Sequence, residues 1–321
     1  MSQRDRLDPQ SRGPLEELLR AIPGGLNAIA DLKERRVALH SLLAGEATAL
    51  PANTAVTTED RVIPGPEGDP DISVRIFRPV GAEGTLPGIY FIHGGGMVLG
   101  SVDDEAGDAS MLCEELQAVV VSVEYRLAPE NPYPAPVDDC YAGLAWTAAH
   151  ADELGIDPER LAVFGKSAGG GLTIATCLKA RERKGPKICF QMPIYPMIDD
   201  RNLTPSSREI TEVGIWDRAA NIEAWGWYLN GLQADQYAAP ARATSLVGLP
   251  PAFIDVGEMD LFRDEDIAFV ARLLQAGVST EFHVYAGAYH GSDSVAPDAD
   301  LTKRMWAARL AALRRAFGHA G

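Results

Sequence analysis

One serine lies between glycines in the stretch Gly165–Gly169, which reads GKSAG. The apolar run RLAVF precedes this stretch, and a segment rich in alanine and glycine with helical spacing follows it. A serine at such a strand-to-helix corner projects from the end of a sheet, and small residues two positions away on each side leave its hydroxyl accessible. The pattern predicts Ser167 as a nucleophile for acyl transfer. A tight structural turn is the alternative, because glycine and serine are common residues.

A glycine run stands earlier in the chain, where His93 precedes Gly94, Gly95 and Gly96 directly after the apolar run PGIYFI. Glycines let backbone N–H groups approach a substrate where any Cβ would interfere. A serine that attacks a carbonyl needs such donors for the oxyanion that develops. A plain glycine-rich turn would have the same letters, but a strand ending in HGGG ahead of a strand ending in GxSxG is a pattern of lipases and esterases.

The nucleophile also needs a base. In the chain order that accompanies GxSxG, the base follows the acid and lies on a loop after the last strand. His283 lies within the strand-like run EFHVY, and His319 lies in the C-terminal tail. His290 follows that run and is flanked by small residues, so we predict His290 as the base. The sequence holds six histidines in all: His40, His93, His150, His283, His290 and His319.

The acid that orients this base is expected after the preceding apolar run, PAFIDVG. Asp255 lies within the run itself. Asp264 and Glu265 begin the next helical stretch, where carboxylates interact favourably with the helix dipole. Asp260 lies in the loop between the two and is the predicted acid, with Glu258 as the second choice.

The segments that must position these residues alternate between apolar runs and helical stretches from Leu86 onward. Runs that are apolar throughout, each followed by a helix, indicate a parallel sheet covered by helices on both faces. Before them, TTEDRVIPGPEG and DISVRIFRPV predict an antiparallel hairpin, which follows a connector at residues 51–58. The fold class predicted is α/β, with a mostly parallel central sheet.

Two segments interrupt this alternation. Residues 14–48 have apolar positions at helical spacing, and residues 200–235 contain the aromatic helical stretch EVGIWDRAANIEAWGWYLNG. Both are too helical for loops and too peripheral for the sheet, so we predict that they form a lid. The expected domains are a helical cap from residues 1–50 and 200–235, and a catalytic domain from residues 51–199 and 236–321.

The composition narrows the classes of partner. A formal net charge of −16 predicts repulsion from nucleic acid and from anionic membrane surfaces. No apolar run is long enough to span a bilayer, and the polar N-terminus lacks the apolar core of a secretory signal. We therefore expect a cytoplasmic protein whose four scattered cysteines are buried free thiols, although their even number leaves disulfides open.

Longer motifs carry a family resemblance. From about residue 60 to residue 318, HGGG, EYRLAPENPYPAPVDD, GKSAGG, YPMIDD, GEMDLFRDED and YHG occur in this order. In this combination the chain resembles the hormone-sensitive-lipase-like esterases, also called bacterial family IV carboxylesterases. The resemblance implies an α/β-hydrolase fold with a helical cap, in which Ser167 is the nucleophile, Asp260 the acid and His290 the base.

The same resemblance implies further properties. The backbone N–H groups of Gly94, Gly95 and Ala168 would receive the oxyanion. The reaction would use no metal or other cofactor, and its partner would be a small-molecule ester. Dimers are common among the esterases that the chain resembles, so a homodimer is a possible state.

Two positions depart from the family pattern. The acid motif commonly reads D-P-L-x-D-E, whereas here Leu261 follows Asp260 directly, which loosens the turn without moving the carboxylate. Lys166 stands where the family commonly has an acidic or a small residue. We expect Lys166 to pair with an acid behind the serine turn, such as Glu124 or one of the adjacent aspartates at 138–139. The alternative is that it adds positive potential beside the nucleophile or closes one wall of the pocket.

Together these features predict a serine carboxylesterase for short- to medium-chain acyl esters, since a narrow aromatic pocket favours short acyl groups. The rival functions are an amidase, carbamate or drug-type ester hydrolase with the same triad, and a non-catalytic receptor like the gibberellin receptors, which lack the base histidine. Packing of the cap is the alternative role for the tryptophans. The predicted substrate pocket includes Met97, Leu99, Tyr195, Ile215, Trp216 and Trp227, with Val98, Trp225 and Tyr228 beside them.

Overall fold

A single sheet organises the chain. The structure is a computed structural model that describes residues 2–49, 54–213 and 215–318, with residues 43–49 as backbone only. Within these residues, eight strands pair in the order β1-β2-β4-β3-β5-β6-β7-β8. The strands are β1 Val56–Ile63, β2 Ile72–Pro79, β3 Leu86–Ile92, β4 Val119–Glu124, β5 Ile156–Lys166, β6 Phe190–Ile194, β7 Ala252–Met259 and β8 Thr280–Tyr289.

The direction of the strands confirms the predicted sheet. All neighbours from β4 across to β8 run parallel, whereas β1 with β2 and β2 with β4 run antiparallel. The hairpin of β1 and β2 is the predicted one. The connector predicted at residues 51–58 is wrong at its end, because Val56–Thr58 already belong to β1. Residues 50–53 lie outside the described part of the chain.

Helices cover both faces of the sheet. Side chains alternate along β3, so Ile89 and Phe91 lie in one apolar cluster while Tyr90 and Ile92 lie in another. The first cluster includes side chains of the helices at Ala106–Leu116 (α3) and Asp300–Ala316 (α11), and the second includes side chains of those at Ala135–Ala149 (α4) and Ala168–Glu182 (α6). This two-sided burial explains why the strand runs are apolar throughout. The helices are α1 Pro9–Ala21, α2 Leu32–Ala49, α3 Ala106–Leu116, α4 Ala135–Ala149, α5 Ala151–Leu154, α6 Ala168–Glu182, α7 Pro205–Glu209, α8 Arg218–Leu229, α9 Arg263–Gln275, α10 Ser292–Val295 and α11 Asp300–Ala316.

The two segments predicted as a lid touch each other. Arg35 of α2 donates to a carboxylate oxygen of Glu223 on α8 at 2.7 Å. Arg6, just before α1, donates to Glu209 of α7 at 2.8 Å. The N-terminal segment thus packs against the segment at 200–235, although the two are far apart in the sequence.

The cysteines are free thiols, as expected. Cys113, Cys140 and Cys177 are buried, and Cys189 is partly buried. Among the described residues, no helix combines the length and the apolar character that crossing a bilayer requires.

A buried ion-pair cluster fastens α11 to the sheet. Arg309 of α11 is fully buried, and its guanidinium donates to both carboxylate oxygens of Asp255 on β7 at 2.8 and 3.1 Å. It also donates to Asp293 of α10 at 2.6 Å. Buried charges are tolerated only when they are paired and hydrogen-bonded. The loss of one member of this cluster therefore destabilises the others.

We expect Arg309→Met to lower the free energy of unfolding by about 3–5 kcal/mol, because it leaves two buried carboxylates without their cation. Urea unfolding followed by circular dichroism measures the change. Arg314→Met is the matched control on the same helix, where Arg314 forms a partly exposed pair with Glu115. Its effect is expected to stay within about 1 kcal/mol. Equal stability of the two variants would contradict the role given to the cluster.

Candidate active site

Strand β5 ends in a sharp turn that presents Ser167. The backbone of this residue has φ 55° and ψ −118°, a conformation that non-glycine residues rarely adopt. The flanking glycines are required by close backbone contacts. A Cβ on Gly165 would lie 2.3 Å from the carbonyl oxygen of Gly169, and a Cβ on Gly169 would lie 2.1 Å from that of Ile92. The GxSxG spacing therefore reflects the packing of the turn against the end of β3.

Ser167, His290 and Asp260 form a continuous hydrogen-bonded row. Ser167 Oγ lies 2.8 Å from His290 Nε2, and His290 Nδ1 lies 2.8 Å from Asp260 Oδ2. The other oxygen of Asp260 accepts a hydrogen bond from the Phe262 N–H at 2.9 Å. Asp260 is fully buried and the other two are nearly so. In this order the carboxylate holds the imidazole with its unprotonated Nε2 towards the serine, which is the arrangement a general base needs.

The alternative acids are engaged elsewhere. Glu258 accepts hydrogen bonds from Arg6 at 2.9 Å and from the Gly287 N–H at 3.1 Å. Asp264 accepts from the Ser206 N–H at 2.7 Å, and Glu265 accepts from the backbone N–H groups after β6. Of the predicted candidates, Asp260 is the one that the structure brings to His290.

The other described histidines also have partners away from Ser167. His283 lies 2.8 Å from a carboxylate oxygen of Glu281, and His40 lies 2.9 Å from one of Asp104. His150 contacts the carbonyl of Trp146 at 2.8 Å. His319 lies outside the described residues.

The glycine run after β3 contains one predicted donor whose N–H already has a partner. The Gly94 N–H donates to the carboxylate of Glu105 at 2.9 Å, so it is not available to an oxyanion. Among the residues that the structure describes, none accepts a hydrogen bond from the N–H groups of Gly95, Gly96 or Ala168. The letters HGGG do not distinguish the three glycines, and the sequence prediction did not include Gly96.

Two carbonyl groups fix the direction of the free donors. The Gly94 carbonyl accepts from Tyr125 Oη at 3.3 Å and lies 2.9 Å from His93 Nδ1. The Gly95 carbonyl accepts from the Leu99 N–H at 2.8 Å. Because a trans peptide is planar, its N–H points opposite to its carbonyl. Anchoring these carbonyls therefore aims the N–H groups of Gly95 and of the residue after it away from the anchors.

His93 supports this loop as a neutral donor. The ring is fully buried and stacks on Tyr125 with centroids 4.1 Å apart. Burial lowers the pKa of His93 to about 4, so the imidazole is neutral at pH 7. Its proton must then lie on Nδ1, which faces the Gly94 carbonyl.

Several predicted pocket residues lie close to the site. The ring of Tyr195 packs edge-on against His290 with centroids 4.9 Å apart. Trp216 covers Gly96, since a Cβ there would lie 2.3 Å from Trp216 Cη2. Ile215 lies 3.7 Å from the Cβ position of Gly291, which follows the base.

The structure shows the remaining pocket candidates in contact with other protein groups. Met97, Val98 and Leu99 directly follow the glycine run and are buried in the main apolar cluster. Trp227 is only partly buried and lies under the guanidinium of Arg35, at 5.6 Å. Trp225 and Tyr228 are buried and pack against each other with centroids 5.9 Å apart. Contact of these residues with a substrate stays a prediction.

Lys166 does not have the partners that the sequence suggested. Glu124 accepts from the Val102 N–H, Asp138 pairs with Lys179, and Asp139 pairs with Arg126. Those predicted pairings are therefore wrong. Lys166 instead hydrogen-bonds to Asp108 of α3 and lies 3.3 Å from Ser294 Oγ of α10.

Lys166 is buried, since only 5% of the residue is exposed. Its surroundings are acidic. Burial opposes its charge, but Asp108, Tyr195 and Glu105 raise the pKa of Lys166 well above that of a free lysine. The Glu105 carboxyl is the second acid near it, and burial raises the pKa of Glu105 to about 7 while Lys166 lowers it. The cation before the nucleophile is thus the partner of a half-buried carboxylate, Asp108.

No cluster of histidine, cysteine or acidic side chains with the geometry of a metal site occurs among the described residues. The site holds a serine, a histidine and an aspartate in one hydrogen-bonded row, with backbone N–H groups beside it. Such a set can transfer an acyl group from an ester to water.

Comparisons with known proteins agree with this geometry. A family model described as the alpha/beta hydrolase fold matches residues 89–293. Carboxylesterase NlhH of Mycobacterium tuberculosis is 39% identical over 265 residues, which cover 81% of this chain and 82% of that protein. Esterase LipI of the same organism is 37% identical over 247 residues, which cover 75% and 76%. Among solved structures, a bacterial heroin esterase has a TM-score of 0.91 at 38% identity and covers 98% of this chain and 99% of its own.

The chain belongs to the α/β-hydrolase family, in the hormone-sensitive-lipase-like group that its motifs resemble. It is a carboxylic ester hydrolase.

We expect Lys166→Asp to lower the free energy of unfolding by about 3–5 kcal/mol, because it removes a buried cation and adds a carboxylate beside Asp108 and Glu105. Thermal and urea unfolding measure the change. Lys187→Asp is the control, since Lys187 forms an exposed pair with Glu159, with side chains 67% and 65% exposed. If Lys166→Asp and this control had the same free energy of unfolding, the pair of Lys166 with Asp108 would not stabilise the fold.

Proposed function

We propose that this enzyme hydrolyses short- to medium-chain acyl esters through an acyl-enzyme, with Ser167 as nucleophile, His290 as base and Asp260 as acid. The observation that carries the proposal is the row of two 2.8 Å hydrogen bonds from Ser167 Oγ through the imidazole to the buried carboxylate. The identity of the chain with named carboxylesterases supports it.

The first half of the reaction forms the acyl-enzyme. Ser167 Oγ attacks the ester carbonyl carbon while its proton moves to His290 Nε2. Asp260 holds the Nδ1–H and stabilises the imidazolium that results. When the tetrahedral intermediate collapses, the C–O bond to the alcohol breaks and Nε2 returns the proton to the leaving oxygen. In the second half, a water oxygen attacks the acyl carbon while His290 Nε2 takes its proton. When this intermediate collapses, the bond to Ser167 Oγ breaks and Nε2 returns the proton to that oxygen, which releases the acid.

The oxyanion is received by the N–H groups of Gly95, Gly96 and Ala168 in this proposal. What supports this set is that these N–H groups have no acceptor among the described residues, whereas that of Gly94 has one. Ala168 is also the first residue of α6, where the helix dipole favours negative charge. Each such donor typically contributes about 10²–10³ in rate.

A preference for small acyl groups is supported by the closeness of the cover over the site. Ser167 and His290 are only 8% and 7% exposed. Trp216 lies directly over Gly96, and it belongs to the segment that contacts the N-terminal helices. We propose that residues 1–50 and 200–235 act as a cap that limits the length of the acyl chain. A homodimer stays a prediction.

A second candidate is a drug-type ester hydrolase with the same triad. The observation that favours it is the near-complete superposition on the bacterial heroin esterase, whose name states its substrate. Hydrolysis of acetyl esters of bulky alcohols, compared with that of simple alkyl esters, separates the two candidates.

We expect Ser167→Ala to abolish ester hydrolysis and to prevent labelling by a fluorophosphonate probe, because the probe reacts with the activated hydroxyl. Mass spectrometry of the labelled peptide identifies the site. Ser294→Ala is a control, since Ser294 lies near Lys166 but not in the hydrogen-bonded row. If Ser167→Ala were still labelled, Ser167 would not be the nucleophile.

The wild-type enzyme is expected to hydrolyse p-nitrophenyl butyrate with a higher kcat/KM than the palmitate, because Trp216 leaves little room beside Gly96. Trp216→Ala should shift the ratio towards longer chains by enlarging this space. Faster hydrolysis of the palmitate by the wild-type enzyme would contradict the short-chain proposal.

A further inference from the structure

Glu105 has an unusual position for a residue that precedes a helix. It stands at the N-terminal cap position of α3, but its side chain does not cap that helix. It turns back to the glycine run and accepts a hydrogen bond from the Gly94 N–H at 2.9 Å. Its second oxygen, Oε2, is inaccessible to solvent and has no hydrogen-bond partner among the described residues. Burying a carboxylate oxygen without a hydrogen-bond partner is energetically unfavourable, so we looked for what the other oxygen of this side chain stabilises.

We propose that Glu105 is a positioning residue that holds the glycine run in its oxyanion-binding conformation through the Gly94 N–H. The inference rests on the proposed function, since it concerns the donors assigned there.

The hydrogen bond from Gly94 completes the anchoring of the loop. The Gly94 and Gly95 carbonyls are fixed by Tyr125, His93 and Leu99, which aim the next two N–H groups. The peptide between His93 and Gly94 is held on both sides, since Tyr125 Oη donates to the His93 carbonyl at 3.0 Å and the Gly94 N–H donates to Glu105. Without Glu105 the N–H side of this peptide loses its partner, so the start of the run that leads into Gly95 is held less firmly.

The close fit at Gly94 makes the loop sensitive to such a loss. A Cβ on Gly94 would lie 3.1 Å from the Lys166 carbonyl oxygen and 3.6 Å from Ser167 Cβ. The glycine run and the serine turn are therefore in contact, and a shift of one moves the donors relative to the nucleophile. A displacement of catalytic groups by about 1 Å can lower the reaction rate by about 10²-fold.

The ionised form of Glu105 makes the Gly94 bond stronger than the neutral carboxyl does. A carboxylate that accepts an N–H forms a shorter and stronger hydrogen bond than a neutral acceptor. Lys166 at the end of β5 favours the ionised form of Glu105, while Asp108 on α3 and Asp293 on α10 oppose it. The uncharged hydroxyls of Tyr125 and Tyr195 face the same cluster.

The arrangement also accounts for the departure at residue 166. The esterases that the chain resembles commonly have an acidic or a small residue there. In this chain Lys166 pairs with Asp108 of α3, and its charge also favours the ionised form of Glu105, which stands just before that helix.

The test compares Glu105→Ala with Glu105→Gln, whose amide oxygen can still accept the Gly94 N–H. We measure kcat and KM for p-nitrophenyl butyrate and the inhibition constant of an alkyl boronic acid, which forms a tetrahedral adduct with the serine. Fluorophosphonate titration counts the folded, reactive sites, so each kcat is expressed per titrated site. Glu124→Ala is the matched control, because it removes a carboxylate that accepts the Val102 N–H at 2.7 Å in the adjacent loop.

For Glu105→Ala we expect kcat to fall by about 10- to 100-fold, with KM within about threefold and the boronic acid weakened in proportion to kcat. Glu105→Gln should recover most of the lost kcat, and Glu124→Ala should stay within about twofold of the wild type. The proposal is overturned if Glu105→Ala keeps its kcat, or if Glu105→Gln is as impaired as Glu105→Ala. Absence of hydrolysis by the wild-type enzyme, or labelling unaffected by Ser167→Ala, would instead count against the proposed function.

Discussion

The rest of the site depends on the backbone of Ser167 staying in a conformation that serine does not favour. Such strain costs on the order of 1–3 kcal/mol and persists only where the surroundings determine it fully. Here the Ser167 N–H donates to the Ile194 carbonyl at 2.9 Å, and its carbonyl accepts from Gly171 and Met197 at 3.0 Å each. These bonds require that β5 and β6 end at the same level, which the register opposing Lys166 to Ile194 provides.

The interior behind this turn differs in character from the acidic chain as a whole. The formal net charge is −16, yet two cations, Lys166 and Arg309, are buried within reach of Asp293. Each buried charge is tolerable because its partners are present, and the removal of one leaves the others uncompensated. Substitutions in this cluster should therefore combine non-additively, unlike those of the exposed pairs. The buried polar network therefore contributes to the stability of the fold together with the apolar layers.

Most of the fold and the hydrogen-bonded row could be predicted from the sequence, because strand order decides where they lie. Ser167, Asp260 and His290 each follow a parallel strand, and the carboxyl ends of parallel strands meet at one edge of the sheet. The choice among the glycines could not be predicted. It depends on Glu105 reaching back from a helix that the motif does not include. The partner of Lys166 was missed for a similar reason, since Glu124 and the aspartates at 138–139 already have other donors.

The N-terminal segment has a consequence for how the protein is handled. Arg6 binds Glu258, which lies two residues before Asp260, and the Asp8 N–H donates to the Gly287 carbonyl at 3.0 Å, shortly before His290. The same segment binds Glu209 in the proposed cap. Residues 3–8 thus act as a clasp between the loops that carry the acid and the base and the cover above them. We expect that an affinity tag or a truncation that disturbs this clasp alters turnover from a distance.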